Sequence, residues 1–166
     1  LYLLASLVLL SAAISMGTIA YLQGDFVVVG GPTEPSVSKV VSIELSEEGI
    51  QESSEAVLLE GQSLIITAAG QYEISGQGPD VTVQVAKEVT DEVTITLNNA
   101  SLAQLDFQST GTNILSLAKD STNSLSGAET GISATNITLT GEGGLAISEV
   151  STSGIFATDD LVVESG

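Results

Sequence analysis

GISATNITLTG, Gly131–Gly141, is followed one repeat later by GIFATDDLVVESG, Gly154–Gly166. Gly131, Ile132, Ala134 and Thr135 align with Gly154, Ile155, Ala157 and Thr158, after which Ile137 and Leu139 align with Leu161 and Val163. A phrase that recurs in phase with the apolar run behind it signals a stacked architecture. Apolar clusters beginning at Val93, Ile114, Ile137 and Leu161 are spaced by 21, 23 and 24 residues. Lesser clusters lie between them: Leu102 to Phe107, Leu125, Leu145 with Ile147, and Ile132 or Ile155. Each repeat thus offers about three short strands, enough to close one coil of a right-handed parallel β-helix. Coils stacked at roughly 4.8 Å bring like residues into inward ladders, because a single coil cannot bury its own apolar side. The fold class expected is all-β. A β-sandwich also uses short alternating strands, but it gives no reason for the GIxAT phrase to keep phase with the next strand.

The composition narrows the function. The chain has 166 residues, 21 of them acidic against three lysines, with no histidine or cysteine and a formal charge of −18. Binding to nucleic acid through its phosphates is excluded on that charge. The commonest general base, thiolate catalysis, disulfides and cysteine-ligated zinc are excluded by the missing residue types. Hard cations on carboxylate and carbonyl oxygens remain, calcium first among them.

Leu1 to Leu22 carries no charge and is long enough to cross a bilayer as a helix. It is expected to be an apolar signal or anchor helix that exports the rest of the chain, placing the protein outside the cell or on its surface. Alternatively it is the assembly helix of a pilin-like filament subunit, although Ala5 stands where bacterial pilins usually carry Glu. Residues 23–38, with Gly30-Gly31-Pro32 and Pro35, read as a linker. Residues 39–166 read as the β-helical domain.

Two longer stretches carry a resemblance. LTGEGGLAISEVSTSGIFATDDLVVESG, Leu139 to Gly166, and LIITAAGQYEISGQGPDVTVQVAKEVTDEVTITLNNASL, Leu64 to Leu102, resemble the extracellular carbohydrate-binding parallel β-helix family known from clostridia. The likeness lies in the order of strand, Gly-rich turn, GI phrase and DDL strand. It implies binding of an acidic plant-type polysaccharide such as polygalacturonate, with calcium held on the β-helix. By position the DDL acids Asp159 and Asp160 match the family phrase, although Thr158 stands where a lysine is often found. The family domain usually runs through further coils, so this chain is expected to be a fragment or a shortened version.

Asp159 and Asp160, with Glu142 from the preceding GEGG turn, are therefore the candidate metal ligands. Asp80, Asp91, Glu92, Asp106, Asp120 and Glu129 are also expected at corners, where acids either bind ions or simply keep the surface soluble. Asn98-Asn99 are candidates to begin an inward ladder of amides, whereas Asn113 and Asn136 do not repeat that register and read as turn residues. Among the aromatics, Tyr72, Phe107 and Phe156 offer a sugar-stacking face, but burial in the core is the simpler expectation. Parallel β-helices also host pectate lyases, whose chemistry uses a basic side chain, usually arginine; this chain has none. The reading is a non-catalytic, secreted or membrane-anchored polysaccharide-binding module assisted by calcium, with the structural subunit of a surface filament, a homo-oligomer assembled through the apolar N-terminal helix, as the alternative.

Overall fold

The computed structural model describes residues 18–22, 25–29, 39–46, 49–51 and 54–164. The chain divides into two units, Leu1–Val37 and Ser38–Gly166. In the first, β1 (Thr18–Leu22) pairs antiparallel with β2 (Asp25–Val29). The end of the expected apolar helix is therefore a strand. Isoleucine, tyrosine and threonine in Thr18–Leu22 suit a pleated surface, as do Phe26 and the three valines that pair back on it. The remainder of that expected helix, residues 1–17, lies outside the described residues, and with it the anchor and filament expectations. Among the described residues no helix is long and apolar enough to cross a membrane.

The second unit is a β-solenoid of about four turns. Its strands begin with β3 (Val41–Ser46), β4 (Gly49–Gln51), β5 (Val57–Glu60) and β6 (Ser63–Ile66). Two long strands follow, β7 (Gly70–Val85) and β8 (Val93–Phe107), each bending through all three faces of a coil. The later coils use shorter pieces: β9 (Asn113–Leu117), β10 (Thr122–Ser126), β11 (Thr130–Ala134), β12 (Ile137–Gly141), β13 (Gly144–Ser148), β14 (Ser153–Ala157) and β15 (Leu161–Val163). Every pairing from coil to coil is parallel, which excludes the sandwich. Within this unit only β4 on β3 and β5 on β6 run antiparallel among the described strands.

On the first face Val41, Tyr72, Ile95, Leu115, Leu139 and Val163 share one column, and Ile43, Ile74, Leu97 and Leu117 share the next. Leu102, Leu125 and Ile147 stack on the second face. Leu64, Val83, Leu105, Ile132 and Ile155 stack on the third, beside Ile66, Val85, Phe107, Ala134 and Ala157. Most of these side chains are fully buried and form one apolar core. The repeated phrase is thus explained, since Ile132 and Ile155 are register partners in neighbouring coils. Its glycine has a reason as well: a Cβ at Gly131 would lie 2.5 Å from Ile147 Cγ2 and 2.8 Å from the Gly154 carbonyl oxygen. Ile155, in the last described coil, is only half-buried, whereas Ile132 is fully buried.

Two asparagines point inward. Asn123 is fully buried; its Oδ1 accepts from the Ala100 N–H (2.9 Å), and its Nδ2 donates to Ser121 Oγ (2.8 Å) and the Gly144 carbonyl (3.1 Å). Asn113 is also buried, accepting from Ser109 Oγ (2.6 Å) and donating to the Asn136 carbonyl (3.2 Å). The inward amides are therefore not Asn98 and Asn99. Asn98 donates to Glu73 Oε1 (2.9 Å), while Asn99 adopts a left-handed φ of 56° at the corner and accepts from the Thr122 N–H (3.1 Å). Short Asn side chains tolerate that conformation and serve corners well.

Candidate functional site

Alternation along a strand sends every second residue outward. On the third face this rule builds a column of Ile65, Gln84, Asp106, Ser133 and Phe156, one residue per coil. The inward neighbours Leu105 and Phe107 turn Asp106 out, and Ile155 and Ala157 turn Phe156 out. Asp106 is thus a mid-strand residue and not the corner acid expected from sequence. Its Oδ1 accepts from Ser133 Oγ (2.5 Å) in the next coil, and its Oδ2 accepts from Gln108 Nε2 (2.8 Å), two residues along its own coil. The carboxylate is held from two sides yet remains only part-buried.

Phe156 corrects the expectation of burial. It is 52% exposed, whereas Tyr72 and Phe107 are core residues at 2% each, and the Tyr72 hydroxyl donates to the Ala68 carbonyl (2.7 Å). Among the aromatic side chains described, Phe156 alone presents a ring to solvent. An exposed ring beside a hydroxyl and a carboxylate in register is chemically suited to a sugar, whose C–H face stacks while its hydroxyls donate and accept. Asp106 and Phe156 each sit between two inward apolar positions, a signal of outward direction that the sequence carries.

The first face differs. Its outward columns are Glu73, Thr96, Ser116 and Thr140, and Gln71, Thr94, Ile114, Thr138 and Val162, rich in threonine and without an aromatic ring. On the second face Ser124 Oγ donates to Ser101 Oγ (3.1 Å).

The candidate metal ligands are not brought together. Asp159 and Asp160 occupy the corner between β14 and β15, where the Asp159 N–H donates to the Thr135 carbonyl (2.8 Å) and the Asp160 carbonyl accepts from the Ile137 N–H (2.9 Å). Both residues are exposed. Glu142 lies at another corner, between β12 and β13, and pairs with Lys119 Nζ (2.8 Å). Among the described residues no three acids group closely enough to hold a metal ion by themselves. The three acids are therefore not assembled into one ligand set.

A family model described as a carbohydrate-binding domain-containing protein matches residues 60–166. No curated protein and no solved structure matches the chain. The match spans the coils that build the third-face column, including Gln84, Asp106, Ser133 and Phe156. With well over half its length covered, the chain belongs to the carbohydrate-binding domain-containing family.

Proposed function

We propose that the protein is an exported, non-catalytic module that binds polysaccharide on the third face, with Phe156 as the stacking platform. The observation that carries this reading is the exposed Phe156 ring in register with Ser133 and Asp106, inside the region matched by the family. The non-catalytic reading is supported by the absence of histidine, arginine and cysteine and by the engagement of Lys119 with Glu142 at an exposed corner. Phe156→Ala is expected to weaken binding to a polysaccharide column or affinity gel about tenfold, on the scale of one or two stacking contacts. Because Phe156 is half-exposed, the thermal midpoint should move little. A variant that binds as well as the parent would remove the third face from consideration.

An acidic polysaccharide is the second ligand proposed. A chain at −18 repels a polyanion unless cations intervene. The exposed Asp159–Asp160 corner, next along the chain from Phe156, is where a calcium ion shared with sugar carboxylates is proposed to sit. Polygalacturonate retention should then rise with added calcium and fall to background with chelator, and Asp159→Asn with Asp160→Asn together should remove the calcium response. Retention indifferent to chelator would rule out the shared ion.

A further inference from the structure

We propose that Asp106 is the specificity-determining residue of the third face. It accepts from hydroxyls of a neutral glycan that also rests on Phe156, and it disfavours uronic acids where no cation intervenes. The inference rests on the reading of this face as a polysaccharide site. A carboxylate offers about four acceptor positions on its two oxygens. Ser133 Oγ occupies one on Oδ1 and Gln108 Nε2 one on Oδ2. Each oxygen therefore keeps an acceptor position for a ligand hydroxyl. The two donors also fix the rotamer beforehand, so little ordering remains for the ligand to impose.

Spacing supports the same ligand. Asp106 and Phe156 are two coils apart in one column, with Ser133 between them. Two strand spacings are about 10 Å, close to the repeat of two sugar units, so a glycan running along the solenoid axis can place one ring on Phe156, the next over Ser133 and the one after over Asp106. Gln84, one coil beyond, continues the polar track. Charge decides the sugar class. Hydroxyl donors suit a fixed carboxylate acceptor, whereas a uronate brought to the same place sets two carboxylates against each other in a protein already at −18.

The test uses the full chain and two oligosaccharides of equal length, one a neutral β-linked glucan or xylan and one polygalacturonate, titrated by calorimetry with chelator present so that no shared calcium contributes. The parent is expected to prefer the neutral ligand. Asp106→Asn keeps the shape and exchanges one acceptor for a donor, so neutral binding should fall about tenfold or more, the scale of hydrogen bonds to a charged group. Binding of polygalacturonate should not fall, and the neutral-to-acidic ratio should collapse. Asp91→Asn, which removes one exposed charge elsewhere, should leave the ratio unchanged, and Gln108→Ala, which only loosens the carboxylate, should lower neutral affinity by less. A parent that prefers polygalacturonate in chelator, or an Asp106→Asn ratio equal to the parent's, overturns the proposal even where Phe156→Ala still weakens binding. If neither oligosaccharide binds the parent, the polysaccharide reading of the face falls and this one with it.

Discussion

Ile132→Ala is expected to lower the unfolding free energy by about 3 to 4 kcal/mol, near the upper part of the range for large-to-small changes in a core. Ile132 is fully buried, with Leu105 in the coil on one side and Ile155 in the coil on the other. Each neighbour is fixed to a strand whose backbone is paired, so the walls of the gap cannot close in. Ile155→Ala should cost less, about 1 to 2 kcal/mol, because Ile155 is half-buried and loses less apolar area. The sequence repeat treats the two isoleucines as equivalent; the structure gives them the same register and different surroundings. Urea unfolding of both variants measures the difference. Equal losses, or a loss below about 1 kcal/mol at Ile132, would contradict the column packing.

Asn123→Ala should be comparably damaging although it removes a polar side chain. Asn123 ties three coils together, through the Ala100 N–H on one side, Ser121 within its own coil and the Gly144 carbonyl on the other. An alanine leaves the buried Ala100 N–H without this partner, at about 1 to 3 kcal/mol, and also removes the bond to the more exposed Gly144 carbonyl. A total near 2 to 4 kcal/mol is expected, and Asn123→Leu should not rescue it, since a larger apolar residue restores volume but no hydrogen bond. Amide exchange gives a local readout, because the Ala100 N–H should lose much of its protection. Protection unchanged at Ala100 would show that the amide is satisfied by other means.

Much of the fold is legible in the sequence because the inward ladders impose a strong constraint. Leu64, Val83, Leu105, Ile132 and Ile155 must all be apolar, and the chain keeps them so at one-coil intervals. The N-terminal stretch is not legible in the same way, since an uncharged run such as Thr18–Leu22 suits a strand and a helix alike until its partner is known. Asn123 escapes a sequence reading for a related reason. Its neighbours Ser121, Thr122 and Ser124 make it look like a loop residue, and only the coils above and below supply the groups that draw it inward. The candidate metal residues are spread over two corners, because proximity in sequence places Glu142 near Asp159 and Asp160 while a full side of the coil separates their corners. Phe156 is the opposite case. The alternation that turns it outward is readable, but the general tendency of aromatics to bury argues the other way, and only the structure decides between them.

β4 and β5 run against β3 and β6, which fixes where a domain of this kind can lengthen over evolutionary time. A duplicated coil inserted between two existing ones finds parallel strands on both sides and apolar columns ready to receive its own. A coil joined beyond β4 and β5 would meet strands of reversed direction, whose hydrogen-bond pattern does not continue the parallel ladder. Growth by duplication therefore belongs to the parallel coils and not to the β4 and β5 end, and each such event would extend the third-face track by one rung of about 4.8 Å. Descendants of one ancestral module would differ in the length of glycan they grasp before they differ in the chemistry with which they grasp it.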